Sequence, residues 1–547
     1  MEQEELSSHS KIVAKGSFWN LTGSIAFKLS SFFYTILIAR AASQADVGLF
    51  YLSLGIIGLI GIFSDLGLSG SLVRYMPFYE GKGEHGKRLG LLRLSVLVSF
   101  FLGVFLSIII YWQADNVGGF YSNPRLADAL RFISLYALIQ NLFRSGMSYL
   151  QAIADMKTGS LANNLQNVGK LFLTIILFYF FGASVLTITA AFILSFVPCL
   201  VFIWIRSKEL MGILQVKGEA IDNRELVHEI APFGLLLILL GALGAIMSST
   251  DRLVLGYMAS KEAAESLVGI YSIATALAIS LGVFPGAVNS IFLPVISKLA
   301  GKEDWDSMRA IMRTSQRWAM FVSIPVAVVM IIFSSDLLRI FYGVSYQSGA
   351  FVLSAFTLGY LISYVFSVVS NAILAKRLIN LELTLTAITA VVNLALCIVL
   401  IPTYSLDGAA LAALISFLVM TLLLAYYGKK IFDFTIPPEI YRLFGAGLAS
   451  FLVVFLLKPI VSATADSLPA ITSLGDFAPY AQKLLYLAYV GILMVLSTAL
   501  FVLFSLLLKC IHGEDISLMK GVLRRAFVPP QLISLAERIA SYGVTSK

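Results

Sequence analysis

Long apolar runs alternate with short polar segments along almost the whole chain. Runs of about 20 apolar residues are typical of helices that cross a bilayer, whereas a membrane barrel shows ten-residue segments of alternating polarity. The pattern therefore predicts an all-α polytopic membrane protein with about fourteen transmembrane helices. The predicted spans are 17–40, 46–73, 91–112, 126–151, 160–181, 184–206, 229–250, 266–296, 314–334, 348–374, 382–402, 407–428, 440–461 and 484–509.

Three of these apolar segments carry a stripe of polar residues, and each stripe contains one cation. Spacings of three and four residues place the members of each stripe on one helix face. A cation at the bilayer centre costs about 2.5–3.5 kcal/mol on the insertion scale, so the three cations are expected to face a wet cavity or a protein interior. The pattern predicts a membrane cavity that binds an anion. The stripes are Asn20, Ser24, Lys28, Ser31 and Thr35; Gln140, Arg144, Ser148, Gln151 and Asp155; and Asn163, Asn167, Lys170 and Thr174.

Composition supports the membrane class and excludes several others. Hydrophobic residues make up 59% and charged residues 13% of 547, against about 45–50% and about 25% in soluble chains. The net charge of +8 lies in short loops, so we expect no nucleic-acid partner. The three cysteines have no metal-ligand spacing, and we expect neither metal nor cofactor. The amino terminus shows no cleavable signal, so the first span should be retained.

The loops predict the orientation of the chain. Of the 39 Lys and Arg residues, eight fall in one set of loops and three inside spans, so 28 lie in the other set. Because cytoplasmic loops are enriched in Lys and Arg, both termini are predicted to be cytoplasmic in a multi-pass protein of the cell (plasma or inner) membrane.

An internal repeat with a displacement of 221 residues divides the chain. Val47-Gly48-Leu49-Phe50 matches Val268-Gly269-Ile270-Tyr271, and Phe120-Tyr121 recurs as Phe341-Tyr342. Each half holds six spans, which predicts two like-oriented lobes suited to alternating access. The predicted parts are an amino-terminal lobe (1–225), a carboxy-terminal lobe (226–430), two extra spans (431–510) and a cytoplasmic amphipathic tail (511–547).

Seven segments in this order resemble the Wzx-like polysaccharide-biosynthesis flippases of the multidrug/oligosaccharidyl-lipid/polysaccharide (MOP) exporter superfamily. The similarity covers about residues 1–430. The segments are KGSFWNLTGS (15–24), ILIARAASQADVGLF (36–50), FSDLGLSGSLVRYMP (63–77), STDRLVLGYM (249–258), VGIYSIATAL (268–277), FYGVSY (341–346) and IPTYSLDGAALAALIS (401–416).

The resemblance implies export of a lipid-linked oligosaccharide, on a polyprenyl phosphate or pyrophosphate, from the cytoplasmic to the outer leaflet. It also implies contact with membrane lipid, transport coupled to H⁺ or Na⁺, and glycan-assembly enzymes as partners. Lipid II flippases carry an arginine–aspartate cluster early in the first span, where this chain has FWNLTGSIAF. Peptidoglycan precursor is therefore a poor candidate for the substrate.

Candidate site residues follow from the stripes and from the resemblance. A phosphate needs cations, sugar hydroxyls need amides and hydroxyls, and a coupling ion needs a carboxylate, for which Asp65 is the candidate. The phosphate candidates are Lys28, Arg144, Lys170 and Arg252. The sugar candidates are Asn20, Ser24, Gln140, Ser148, Asn163, Asn167 and Asn393.

Structural explanations compete with each of these roles. Arg144 could pair with Asp65, Arg252 could pair with Asp251, and Lys28 and Lys170 could extend to the membrane surface. Asp65, in SDLGLSG, could cap a helix, and the Ser, Thr and Asn stripes could join helices.

Two other functions compete with the flippase. A multidrug or cation antiporter of the same superfamily would use acidic and aromatic groups, whereas the central charges here are mainly positive. A membrane-embedded glycan polymerase would need a catalytic carboxylate at a membrane face. No nucleophile–base pair or phosphate loop is evident, so we expect no enzyme.

Overall fold

The protein is described by a computed structural model that covers residues 23, 26–207, 223–259, 263–283, 285–286, 295–296, 299–466 and 478–510. Within these ranges all regular secondary structure is helical. Helices α1 to α17 cover 26–41, Gln44–Ile60, Leu68–Gly81, His85–Phe120, Pro124–Ile133, Leu135–Ala152, Met156–Phe181, Val185–Leu194, Phe196–Arg206, Asn223–Met258, Ala264–Ile279, Trp305–Ile332, Ser334–Phe341, Ala350–Ala375, Ile379–Phe432, Pro438–Asp466 and Ala478–Leu507. Short 3₁₀ helices lie at Gly61–Phe63, Ser280–Gly282 and Val344–Gly349.

Twelve of the described helical segments are long and apolar enough to cross a bilayer. One of them, α15, is 54 residues long and contains Ser405 in a non-helical conformation (φ 50°, ψ −120°), which separates the predicted spans 382–402 and 407–428. Helix α1 is the described part of the first predicted span. The predicted all-α polytopic class is thus confirmed. The amphipathic tail predicted at 511–547 lies outside the described residues.

Polar caps fix where several helices begin, because the first N–H groups of a helix have no partners within it. The side chain of Ser43 accepts from the Asp46 amide at the start of α2, and Asn123 accepts from Leu126 just before Pro124 opens α5. Asp155 accepts from the Thr158 amide at the start of α7. These caps set the register in which the polar stripes face their neighbours.

The structure divides into two units, which are Met1–Ala276 with Thr386–Ala413, and Leu277–Leu385 with Leu414–Lys547. The predicted lobes, 1–225 and 226–430, are defined by the sequence repeat and not by these units, and they remain a prediction.

Within the first unit, the repeated Val-Gly motif forms a helix crossing. A Cβ added to Gly48 on α2 would lie 1.8 Å from the Glu265 carbonyl oxygen at the start of α11. A Cβ on Gly269 of α11 would lie 2.2 Å from the Gln44 carbonyl oxygen and 3.1 Å from the Gly48 amide nitrogen. Equivalent glycines of the two halves therefore permit backbone-to-backbone contact, as small residues do between membrane helices.

Replacing Gly48 by Ala is expected to lower the thermal unfolding midpoint of the detergent-solubilised protein by about 4 °C, because the backbones must separate to admit the methyl group. Gly119→Ala is the matched control, since a Cβ there meets no atom within 4 Å. Equal midpoints for the two variants would show that the crossing does not need glycine.

In the second unit, a polar cluster fastens α16 and α17 to α12 and α13. The Lys458 ammonium donates to the Ile332 carbonyl (2.9 Å) and to the Asp336 carboxylate (2.5 Å), and the Tyr486 hydroxyl donates to the same carboxylate. Ser450 on α16 donates to the Ser497 carbonyl of α17 at 2.8 Å. The two helices predicted to lie outside the repeat are thus packed into this unit.

Candidate functional site

A cavity of about 610 Å³ lies in the first unit, between α1, α6 and α7. Two cations line it, namely Lys28 from α1 and Arg144 from α6. The remaining polar lining is Ser148, Gln151, Asp155, Ser160, Asn163 and Asn164. The cavity combines positive charge with amides and hydroxyls, which are the groups that bind a phosphate-linked sugar.

Arg144 is the central group of this site. Its half-buried guanidinium makes no hydrogen bond or ion pair with any residue that the structure describes. Arg144 also lines a second cavity of about 310 Å³, together with Asp65, yet the two side chains form no ion pair. The alternative of an Arg144–Asp65 lock between helices therefore has no support in the contacts, and the guanidinium is free to bind a ligand.

The stripe from Gln140 to Asp155, here called the α6 stripe, contributes four of its five residues to the lining of the larger cavity. Arg144, Ser148, Gln151 and Asp155 all contribute to it, whereas Gln140 lies outside its lining. The Asp155 carboxylate accepts from the amide (3.0 Å) and the hydroxyl (2.6 Å) of Thr158. These neutral donors orient the carboxylate towards the start of α7 without removing its charge, so two cations and one carboxylate leave the lining with a net positive charge.

The α7 stripe divides between two roles. Asn163 lines the larger cavity, whereas Asn167 and Lys170 are buried against α1 and away from both cavities. The Ser31 hydroxyl and the Lys170 ammonium both donate to the Asn167 side-chain oxygen, at 3.3 and 3.2 Å. The Lys170 ammonium also lies 4.2 Å from the centre of the Tyr34 ring. This network joins two helices, which is the structural alternative for a polar stripe.

The remaining candidates lie elsewhere. Arg252 donates to the Ser248 carbonyl at 2.5 Å in its own helix, and it lines neither of the two cavities. Asn393 is buried on α15 beside Cys397. Asn20 and Ser24 lie outside the described residues. The phosphate and sugar roles of all these residues remain predictions.

The sequence suggested Asp251 only as a local partner of Arg252, whereas in the structure Asp251 is a buried carboxylate with partners on other helices. Asp251 accepts from the Tyr271 hydroxyl at 2.7 Å and from the Cys397 thiol at 3.2 Å, which connects α10, α11 and α15. Asp251 makes no ion pair in the part of the chain that the structure describes. The sequence assigned Cys397 no role beyond its lack of metal-ligand spacing, because its thiol contact with Asp251 depends on a neighbour 146 residues away in the chain.

This arrangement of apolar spans around a charged, polar cavity defines a multi-pass α-helical membrane transporter. The chain belongs to the polysaccharide biosynthesis protein family, whose sequence profile matches residues 13–300.

Named relatives agree with this assignment, and two solved structures share the fold. The "Probable low-salt glycan biosynthesis flippase Agl15" of Haloferax volcanii is 22% identical over 71% of this chain and 78% of its own. The "Capsular polysaccharide biosynthesis protein CapF" of Staphylococcus aureus is 23% identical over 74% of this chain and 96% of its own. The lipid II flippase MurJ, in an inward closed conformation, has the same fold, with a TM-score of 0.66, 17% identity and coverage of 86% and 97%. An inward-facing multidrug resistance MATE transporter of the MOP superfamily has a TM-score of 0.62 and 18% identity, and the match covers 74% of this chain and 94% of that chain.

Proposed function

We propose that this protein is a flippase that moves a lipid-linked oligosaccharide, carried on a polyprenyl phosphate or pyrophosphate, from the cytoplasmic to the outer leaflet for polysaccharide or glycan biosynthesis. The observation that carries the proposal is the guanidinium of Arg144, which lines a polar cavity and pairs with no residue among those that the structure describes. Family membership and the named glycan flippase among the relatives support the substrate class.

Bilayer physics explains why such a substrate needs this cavity. The hydrocarbon layer is about 30 Å thick, and a phosphate-linked sugar cannot enter it without losing its hydration. The Arg144 guanidinium offers two parallel donors to phosphate oxygens, while Lys28 adds a point charge from the facing helix. Ser148, Gln151 and Asn163 lie in the same lining and supply partners for sugar hydroxyls.

The multidrug antiporter shares the fold, and a fold does not fix a function. The charge of the cavity separates the two functions, because the two cations that line it, Lys28 and Arg144, repel an organic cation and attract a phosphate. An enzymatic role finds no support in the names of the relatives, so we propose a transporter without catalytic activity.

For transport, we propose alternating access with both termini in the cytoplasm and the protein in the cell membrane. Arg125 on α5 donates to Glu265 at the start of α11 and to Asp46 at the start of α2, both at 2.6 Å. The topology predicted from loop charges puts this bridge on the outer side. We propose that the bridge and the Gly48–Gly269 crossing close that side and must separate before the substrate leaves.

Coupling to H⁺ or Na⁺ is part of this proposal. The sequence suggested Asp65, but one of its oxygens accepts from the Gly67 amide at 3.0 Å within a turn. Asp251 is a second candidate for H⁺, because its carboxylate is buried and makes no ion pair with any described residue, and protonation removes the cost of burying the charge. We also propose that the protein receives its substrate from glycan-assembly enzymes at the cytoplasmic face.

Inverted membrane vesicles, whose outer surface is the cytoplasmic face, provide the test. A radiolabelled polyprenyl-diphosphate oligosaccharide is added outside, and the label that becomes protected from an added glycosidase is measured with and without an ionophore. We expect protection to exceed that of vesicles with Arg144→Gln protein, and a phosphate-free glycolipid to show no excess. Accumulation of an organic dye cation, without protection of the oligosaccharide, would instead indicate the antiporter.

A further inference from the structure

The smaller cavity, which Arg144 shares, has walls made largely of glycine. Its lining includes Gly58 and Gly61 at the end of α2, Gly67 and Gly70 in the α2–α3 turn and α3, and Gly241 on α10. At about 310 Å³, it is at the lower end of the range for small-molecule sites. Glycines in a helical bundle commonly serve packing, and only those that packing does not require leave space for a ligand.

Four of these five glycines fall into two groups, while a Cβ on the fifth, Gly58, would make an ordinary contact of 3.7 Å with the Ser249 hydroxyl oxygen. Gly67 and Gly70 are needed for packing, because an added Cβ would lie 2.3 Å from the Gly234 carbonyl oxygen and 2.3 Å from a Leu237 methyl carbon, respectively. Gly67 also has a φ of +73°, which glycine adopts at low cost. At Gly61 and Gly241, by contrast, an added Cβ would meet no atom within 4 Å. Packing does not require glycine there, and the missing side chains leave the cavity open.

Two charged groups with unused bonding capacity face this space. Asp65 is only 6% exposed, and its Oδ1 accepts from the Gly67 amide. Its Oδ2 has no hydrogen-bond partner among the described residues. Arg144 closes the other side and pairs with no residue in the described part of the chain. A mostly buried carboxylate with a free acceptor oxygen at the cavity surface can accept hydrogen bonds from the hydroxyl groups of a ligand.

The chemistry of the lining selects among the occupants. A prenyl tail would leave Asp65 and Arg144 desolvated without partners, which is costly. A pyranose ring places hydroxyl groups against the carboxylate and its C–H faces against Ile62, Leu237 and Ile238. The first ring of the glycan is bonded directly to the phosphate, so it lies next to the phosphate-binding guanidinium.

We infer that the glycine-walled cavity is the binding site for the first sugar ring of the lipid-linked oligosaccharide, with Asp65 as its hydroxyl acceptor. This inference rests on the proposed function, in which Arg144 binds the phosphate. Asp65 is then a determinant of sugar specificity. Gly61 and Gly241 set the size of the ring that enters.

The test is a binding measurement on the purified full-length protein with two probes, polyprenyl diphosphate and polyprenyl-diphosphate-linked N-acetylglucosamine. The wild type is expected to bind the sugar-bearing probe about tenfold more tightly, as one charge-assisted hydrogen bond allows. Gly241→Val fills the cavity and is expected to remove this advantage. Gly244→Val is the matched control, since it lies one turn further along α10, meets no atom within 4 Å and is outside the cavity lining.

Each result has a definite meaning. The inference is wrong if the advantage for the sugar-bearing probe survives in both Gly241→Val and Gly61→Val. It is also wrong if the wild type binds polyprenyl diphosphate but shows no advantage for the sugar-bearing probe. Neither result contradicts the proposed flippase. Failure of the wild type to bind either probe overturns both. If Gly241→Val does not fold, Asp65→Asn gives the same test without added volume, because it removes the charged acceptor and is also expected to abolish the advantage.

Discussion

Arg144→Gln is expected to lower delivery of the lipid-linked oligosaccharide across the membrane by about a hundredfold. The variant loses two charge-assisted hydrogen bonds to phosphate, and about 1.5 kcal/mol for each, the lower value for a partly hydrated site, corresponds to about a hundredfold. Arg144→Lys keeps the positive charge but loses the paired N–H donors of the guanidinium, so we expect partial activity. The measurement is the protected label in inverted vesicles, normalised to the amount of protein in the membrane.

The chain offers a matched control for this prediction. Lys170 is also a cation inside a predicted span, but it is only 7% exposed and its ammonium contacts Asn167 and the Tyr34 ring. Lys170→Met is expected to leave delivery within about threefold of wild type, since an apolar side chain of similar length can replace a buried charge. Equal losses in Arg144→Gln and Lys170→Met would mean that the protein needs buried charge for folding, and that Arg144 has no special role.

Lys28→Gln is expected to lower delivery by about tenfold. Lys28 lines the same cavity as Arg144 from the facing helix, and no described residue neutralises it. A single ammonium in a partly hydrated cavity contributes less than a guanidinium fork, and salt screens its attraction. The loss caused by Lys28→Gln should therefore shrink as ionic strength rises.

The double variant shows whether the two cations share one ligand. Groups that contact the same phosphate act together, so Lys28→Gln with Arg144→Gln should reduce delivery by less than the product of the two single losses. Multiplicative losses would place the two cations on separate ligands, contrary to the site proposed here. Lys28→Arg, which keeps the charge, should recover most of the wild-type rate.

Comparison of Arg144 with Lys170 shows how far a polar stripe can be interpreted. Both cations lie on stripes of three- and four-residue spacing, and both stripes predict a shared helix face. In the structure, most of the α6 stripe faces an open cavity, whereas α1 covers the carboxy-terminal part of the α7 stripe. The two stripes differ in the neighbour that covers them, and this is not encoded in the spacing within one helix.

The sequence by itself determined the class, the helices and the family of this protein. A 20-residue apolar run has few alternatives in a bilayer, because every backbone N–H and C=O must be satisfied inside the segment. It also determined the face of α6 that lines the cavity, since helical periodicity is a local property. The proposed orientation rests on the same kind of local information, the distribution of Lys and Arg in the loops.

Only the tertiary structure decided which polar groups meet. It left Arg144 and Asp65 beside one cavity without pairing them, buried Lys170 against an aromatic ring, and joined Asp251 to Tyr271 and Cys397. It also separated the glycines that allow helices to touch from those that leave a space. These outcomes depend on contacts between residues far apart in the chain, and the three-to-four-residue period of a helix carries no information about them.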